Sequence, residues 1–334
     1  MILVTGGYGC IGAELVKWLL RNTDEEVLLG SRTVNEERTL RTFHDVETAK
    51  LVCIEMDVSD QSQIDHAFKQ HSISRVAHLG ALQTPDCNAH RDLGLQINLG
   101  GTQKLVEVAK AQSQRLERFV FASSIGVYGP RASYPTPRVP LSAEPNPVNV
   151  YGVWKHASEQ VLKLFAAETG VPTVSLRPGV LFGPGRDQGL TSTPTTAMKC
   201  VALKRPYKIP FRSKQDYLYA PDVGAAFGVA LTEPFTGYDI FTLPAKTVAM
   251  EELVATMREA AEEAGLAETF DISFGDEEVP FICDLEFDAM LKAFPATPQT
   301  DFKQALVESL NVFKDQIARG WLSEEDLPPD AAAG

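Results

Sequence analysis

Three glycines, a tyrosine–lysine pair and two adjacent serines are the residues of this chain whose types and spacing could do chemistry. Gly6, Gly9 and Gly12 stand in Met1-Ile-Leu-Val-Thr-Gly-Gly-Tyr-Gly-Cys-Ile-Gly12, between an apolar run (Ile2, Leu3, Val4) and an amphipathic segment with Leu15, Val16, Trp18, Leu19 and Leu20. Between a strand and a helix, the first glycine allows the tight turn and the second lets a pyrophosphate approach the backbone. The third lets helix and strand pack closely. The helix start then offers unpaired N–H groups and a positive dipole end to phosphate. This pattern predicts a dinucleotide site. Farther along, Tyr151 and Lys155 stand four residues apart, which puts a phenol and an ammonium on one face of a predicted helix. Ser123 and Ser124 follow Phe119–Ala122, an apolar run that reads as a strand.

Such groups need a rigid frame, and the first half of the chain alternates strand and helix patterns in the way of a parallel sheet covered on both faces. Strands are expected at Glu26–Leu29, Leu51–Glu55, Arg75–Leu79, Phe119–Ala122 and Thr173–Arg177, with helices at Gln61–Gln70, Asn98–Gln114 and Tyr151–Thr169. His78, inside the fourth strand, reads as a satisfied core residue rather than a ligand. From Gly179 to Arg212 the chain is rich in Gly, Pro, Thr and Ser and reads as a long functional connection. A strand and helix return at Tyr217–Leu231 and a strand at Tyr238–Leu243; a helix (Met250–Ala264), a short strand and a last helix (Asp301–Arg319) follow. The expected fold is α/β: a doubly wound, Rossmann-type parallel sheet with a smaller discontinuous substrate lobe. Residues 1–177 and 213–245 form the dinucleotide-binding domain in this reading. Residues 178–212 and 246–330 form the substrate lobe, against the carboxyl ends of the strands where open α/β sheets bind ligands.

The 334 residues suffice for a large core, and 44% hydrophobic with 22% charged residues is ordinary for a globular protein. A net charge of −13 argues against nucleic acid or an anionic membrane as partner. No apolar run approaches the ~20 residues of a membrane span. A strand beginning at residue 2 leaves no room for a signal peptide, and five scattered cysteines fit reduced thiols, so a cytoplasmic location is expected. Cys10, inside the glycine turn, reads as a packed residue. A polar tail running into three alanines near its end follows Leu327.

The chain resembles the extended short-chain dehydrogenase/reductase family, also called the NAD-dependent epimerase/dehydratase family. The resemblance rests on Thr5-Gly-Gly-Tyr-Gly-Cys-Ile-Gly12, Asp57-Val58, His78-Leu-Gly-Ala81, Asn98, Ser123-Ser-Ile-Gly-Val-Tyr-Gly129, Tyr151…Lys155, Arg177-Pro178, Gly183-Pro-Gly185 and Tyr219…Asp222-Val223. It implies Tyr151 as the acid/base, Lys155 on the nicotinamide ribose and Ser124 on the reacting oxygen. A free phenol has a pKa near ~10, and an adjacent ammonium together with an oxidised nicotinamide would favour phenolate, bringing the group toward working pH. The implied cofactor site is Gly6, Gly9, Cys10, Ile11, Gly12, Ser31, Arg32, Asp57, Val58, Leu79, Gly80, Ala81, Tyr151, Lys155, Pro178 and Val180. The implied substrate site is Gln83, Ser124, Ile125, Gly126, Arg186, Thr191, Ser192 and Thr193, and no metal is expected.

Enzymes choosing NAD place an acid at the end of the second strand, on the ribose 2′-hydroxyl. Here Ser31 takes that place and Arg32 follows, which suits a 2′-phosphate and favours NADP, with NAD possible. Dehydratases similar to this chain carry acids just after the serine position, where Ile125 and Gly126 stand. Nucleotide-sugar enzymes carry Asn and Arg where Val180 and Gln215 stand, although Arg186, Arg205, Arg212 and Lys214 flank the substrate lobe as substitutes. The hydroxyl-rich segment Arg186–Thr196 is similar to the substrate segment of short-chain L-threonine dehydrogenases. The expected function is hydride transfer between nicotinamide and a secondary alcohol or ketone of a small polar substrate: a polyol, sugar acid or hydroxy-amino acid. The alternatives are a sugar or nucleotide-sugar epimerase with tightly bound cofactor, and a non-catalytic dinucleotide sensor. The resemblance also implies a homodimer built on helices 98–114 and 151–169.

Overall fold

The computed structural model describes residues 1–328. The tail beyond Leu327, and the end of the expected second lobe, lie outside the described residues from residue 329 onward. In chain order the elements are β1 (Ile2–Thr5), α1 (Cys10–Asn22), β2 (Val27–Ser31), α2 (Glu36–Phe43), β3 (Leu51–Glu55), α3 (Gln61–Gln70) and β4 (Arg75–His78). Two short helices, α4 (Thr84–Ala89) and α5 (Arg91–Gly94), lead through a π-helical stretch, Leu95–Gly101, into α6 (Thr102–Ala111) and β5 (Arg118–Ala122). Then come α7 (Val150–Thr169), β6 (Thr173–Arg177), β7 (Val180–Phe182), α8 (Thr193–Ala202), β8 (Tyr207–Ile209), β9 (Gln215–Tyr219) and α9 (Ala220–Thr232). The last elements are β10 (Tyr238–Thr242), β11 (Lys246–Val248), α10 (Met250–Glu263), β12 (Ile272–Phe274), α11 (Asp288–Ala293) and α12 (Phe302–Ala318).

Seven of these strands form one parallel sheet in the order β10-β6-β5-β4-β1-β2-β3, a Rossmann-type arrangement. Both faces are covered, so the central strands are continuous apolar runs rather than alternating ones; β1 and β5 are buried at every position. Leu15, Val16 and Leu19 of α1 and Val223, Phe227 and Ala230 of α9 close one face. Ile64 of α3, Leu105 of α6 and Leu162 and Phe165 of α7 close the other. The order reverses between β1 and β4, which leaves a crevice at their carboxyl ends.

The second half departs from the sequence reading in two places. The stretch from Gly179 to Arg212 is not irregular: it holds β7, α8 and β8. Pro194 sits in the first turn of α8 with Thr193, Thr195 and Thr196 beside it, residues poor in helix propensity that packing overrides, since nearly the whole helix is buried. β9, within 213–245, pairs with β7 and β11 rather than joining the seven-stranded sheet, whereas β10 from the same stretch lies beside β6. All five β9 residues are buried, and a run of that kind does not say which sheet it joins. Around β7, β9 and β11, helices α8, α10 and α12 build a separate apolar core with Met198, Met257 and Phe313.

Candidate active site

The glycine turn forms at the carboxyl end of β1. Gly6 has a φ of +68°, and a Cβ on it would stand 2.9 Å from the Gly80 nitrogen at the end of β4. On Gly12 a Cβ would stand 2.3 Å from the Gly6 carbonyl oxygen, so only glycine lets α1 begin this close to the turn. Gly9 caps α1 without any side-chain acceptor, and Gly9, Cys10, Ile11 and Gly12 face a cavity of about 700 Å³. This cradle fits a pyrophosphate: small residues, a bare helix N-terminus and room to approach it. The Cys10 thiol contacts the Pro184 carbonyl oxygen at 3.7 Å, and burial pushes it up to about 12, as for a packed cysteine.

Thr5 ties the ends of β1 and β4 together. Its hydroxyl oxygen accepts from the Leu79 and Gly80 N–H groups at 3.1 and 3.0 Å and lies 2.8 Å from His78 Nδ1. His78 Nε2 is 3.0 Å from the Thr102 hydroxyl, which donates to the Asn98 carbonyl. The imidazole is enclosed between two hydroxyls, and burial drives its pKa down to about 3, so it is a neutral core group. Asn98, in the π-helical stretch, accepts from the Leu82 N–H at 2.8 Å and donates to the Leu82 carbonyl at 2.9 Å. That clamp fixes the segment Leu79–Gln83 along the cavity wall.

The reactive groups come from β5 and α7. Asn149 caps α7 by accepting from the Gly152 N–H at 3.0 Å. A Cβ on Gly152 would lie 2.0 Å from the Gly126 carbonyl oxygen, so the helix start is pressed onto the turn after Ser124. A Cβ on Gly126 would in turn lie 3.3 Å from Ser124 Oγ and 3.5 Å from the Tyr151 ring, which places hydroxyl and phenol around one point. Lys155 is 3% exposed; its Nζ donates to the Ala122 carbonyl at 2.6 Å and lies 5.7 Å from the centre of the Tyr151 ring. Burial lowers its pKa to about 8.

Burial also pushes the Tyr151 phenol above its ordinary value, against the pull of the Ser124 hydroxyl and the Arg186 guanidinium. The sequence reading expected the Lys155 ammonium to supply that pull. In the structure the Lys155 ammonium lies 5.7 Å from the centre of the Tyr151 ring while donating to the Ala122 carbonyl, and the Arg186 guanidinium adds a pull toward phenolate that the sequence reading did not foresee.

Behind these groups lies a buried network absent from the sequence reading. Glu159, one turn beyond Lys155, accepts from Arg177 Nε and Nη2, each at 2.7 Å, and from the Ser123 hydroxyl at 2.5 Å. Arg177 also donates to the Tyr128 hydroxyl at 2.7 Å. The network holds the β5 end, α7 and β6 together beneath Ser124.

Of the residues singled out from sequence, Gly6, Gly9, Cys10, Ile11, Gly12, Ser31, Arg32, Asp57, Val58, Leu79, Gly80, Ala81, Pro178 and Val180 line this one cavity. So do Gln83, Ser124, Ile125, Gly126, Tyr151, Lys155, Arg186 and Thr191. Ser192 and Thr193 do not: both are buried, and their hydroxyls donate to the Gly189 and Leu190 carbonyls at 2.7 and 3.1 Å. They serve the entry into α8 instead. Of the flanking cations, Arg212 pairs with Glu251, Lys214 with Asp284 and Arg205 with Glu324; none of the three lines the cavity, and Gln215 is fully buried on β9. Sequence reasoning missed Arg38, whose guanidinium lies 4.7 Å above the Tyr8 ring at the cavity rim, and Phe281 and Ile282, brought in from beyond β12. An arginine two residues into an N-capped helix (Asn35) after Arg32 was a readable signal; Phe281 and Ile282 had none.

No helix among the described residues is long and apolar enough to cross a membrane. A UDP-glucose 4-epimerase of Erwinia amylovora is 32% identical over 178 residues, 53% of this chain and 52% of that protein. A D-erythronate dehydrogenase of Cupriavidus necator is 29% identical over 188 residues, 53% of this chain and 56% of that protein. The chain thus matches about half the length of these curated relatives. The L-threonine dehydrogenase structure from Clostridium difficile shares the fold over 96% of this chain and 98% of its own, with a TM-score of 0.78 at 19% identity. The family model for NAD-dependent epimerases and dehydratases matches residues 2–243, from the first strand of the sheet to the last. The glycine cradle, the serine–tyrosine–lysine cluster and that match give one conclusion: this chain is an enzyme of the NAD-dependent epimerase/dehydratase family.

Proposed function

We propose that the chain transfers a hydride between nicotinamide and a secondary alcohol or ketone of a small polar substrate, such as a polyol, sugar acid or hydroxy-amino acid. The observation that carries this reading is the cavity's cation inventory beside Ser124, Tyr151 and Lys155. Of Arg186, Arg205, Arg212 and Lys214, the cations that could replace missing diphosphate contacts, the last three are paired elsewhere and Arg186 alone lines the cavity, which disfavours a nucleotide diphosphate. When bound, the nicotinamide supplies the hydride acceptor or donor. Tyr151 takes the alcohol proton in oxidation and returns it in reduction, Ser124 holds the reacting oxygen, and Lys155 holds the ribose with its ammonium. Ile125 and Gly126 carry no proton donor for a leaving hydroxyl, which argues against dehydration.

Cofactor preference belongs to the same proposal. The end of β2 lacks an acid, and Ser31, Arg32 and Arg38 border the cavity there, a donor set suited to a 2′-phosphate, so NADP is preferred over NAD. We also propose a cytoplasmic homodimer, in keeping with five free thiols. Leu105, Val106, Ala109, Leu162 and Phe165 face the core, while Val153 and Leu164 of α7 and Leu93 and Leu95 ahead of α6 are exposed and available for pairing. A monomer in analytical ultracentrifugation at micromolar concentration would sink the dimer. For the reaction, the test is a screen of polyols, sugar acids and hydroxy-amino acids with both nicotinamide cofactors, following the absorbance of the reduced ring. The likeness to a UDP-glucose 4-epimerase over half the chain supports the second reading, an epimerase. Conversion of a sugar without accumulation of reduced cofactor would favour it.

A further inference from the structure

Arg186 is a half-buried cation inside the cavity with no carboxylate partner among the described residues. Its Nη1 donates to Gln83 Oε1 at 3.0 Å and its Nη2 to Thr191 Oγ1 at 2.9 Å, while its Nε is buried without a partner. The adjacent acid, Asp187, is taken by Lys199 at 2.6 Å. A guanidinium carries five N–H donors, so three remain free here. Both partners meet it through their acceptor atoms, leaving the Gln83 amide hydrogens and the Thr191 hydroxyl hydrogen available as further donors. Gln83, Arg186 and Thr191 all line the cavity, and the Arg186 charge reaches Tyr151. Burying a cation without its counter-ion is unfavourable, and a compact anion bound there removes the penalty.

We infer that the substrate carries a carboxylate held by Arg186, flanked by Gln83 and Thr191: the enzyme acts on a hydroxy acid rather than on a neutral polyol. One guanidinium with two neutral donors matches a bidentate monoanion, whereas a phosphate ester calls for a second cation. This deepens the oxidoreductase reading and rests on it.

The test compares acids with polyols of the same carbon count: glycerate, threonate and gluconate against glycerol, threitol and sorbitol, with glycerol phosphate as the other anion. Calorimetry on the cofactor-loaded protein measures binding, and reduced-nicotinamide absorbance measures turnover. At least one acid is expected to bind roughly ten- to a hundredfold more tightly than its polyol. Arg186→Gln should abolish that margin with cofactor affinity and melting temperature unchanged, and Arg186→Lys should restore part of it. If Arg186→Gln does not fold, the acid-over-polyol margin in wild type and its reduction in Arg186→Lys decide. Equal binding of acid and polyol, no binding of any acid, a margin that survives in Arg186→Gln, or tighter binding of glycerol phosphate overturns the inference. Oxidation of a polyol at the same rate by wild type and Arg186→Gln would leave the oxidoreductase reading standing and remove the carboxylate. An Arg186-dependent acid that binds without any redox turnover would do the reverse.

Discussion

Arg177 and Arg186 are nine residues apart, and the chain treats them in opposite ways. Burial alone would weaken the hold of the Arg177 guanidinium on its proton, yet the Glu159 carboxylate more than reverses this; Arg186, half-buried, has no such partner and its pKa stays lowered. Arg177 faces the frame: β6, α7 and the β5 end close around its charge with a bidentate pair. Arg186 faces the cavity with its Nε–H buried and unmatched. A buried charge whose pairing is complete is a feature of the scaffold, while one left incomplete marks where a ligand brings the rest.

The contrast is broken most sharply at the chemistry itself. Tyr151→Phe is expected to lower turnover by roughly 10²- to 10⁴-fold, with cofactor affinity and melting temperature close to wild type; a wild-type rate would remove Tyr151 as acid/base. On the scaffold side, Glu159→Gln strands Arg177 and is expected to destabilise by about 3–5 kcal/mol in urea unfolding. A loss comparable to that from Arg186→Gln would erase the distinction between the two arginines. Lys155 offers a pH test. Its folded-state pKa of about 8 lies below the ordinary 10.5, so the unfolded chain binds the extra proton in between. Its burden is therefore complete below about pH 8 and is relieved as pH rises toward 10.5. Relative to Lys155→Met, wild type should gain about 3 kcal/mol of stability across that window. A flat difference would mean that Lys155 is not depressed.

Smaller effects test the rim. Arg32→Ala and Arg38→Ala should each shift the ratio of NADP to NAD dissociation constants by roughly ten- to a hundredfold toward NAD, and Ser31→Asp should reverse the preference. An unchanged ratio in both arginine variants would leave NAD as the cofactor. Smallest of all, Ser192→Ala and Thr193→Ala should each cost about 1 kcal/mol of stability and leave substrate affinity alone. Weakened substrate binding would return these hydroxyls to the site.

What was legible follows from the range of each signal. The α3 and β6 limits coincide with the periodicity, and Tyr151–Lys155 reads from i,i+4 spacing, because both depend on residues close in sequence. His78 was legible as a core residue from its apolar strand. The Glu159–Arg177 pair was not, since a helix and a strand must pack before the two meet. Nor was α8, whose threonines and proline mimic a loop, or the sheet that β9 would join. Arg186 was visible as a substrate residue; that it lacks a counter-ion could be learned only once Asp187 was seen to turn toward Lys199.

The π-helical stretch Leu95–Gly101 has a consequence for how the gene can change. A wide turn accommodates one residue more than regular helical winding would, and each residue rotates an α-helix by about 100°. Deleting a single codon there would tighten the turn and swing Asn98 away from Leu82, releasing the cavity wall while leaving the helix outwardly intact. A loss of function without a loss of helix content is the expected phenotype, and along this helix tolerance to length change should be lowest within those seven residues.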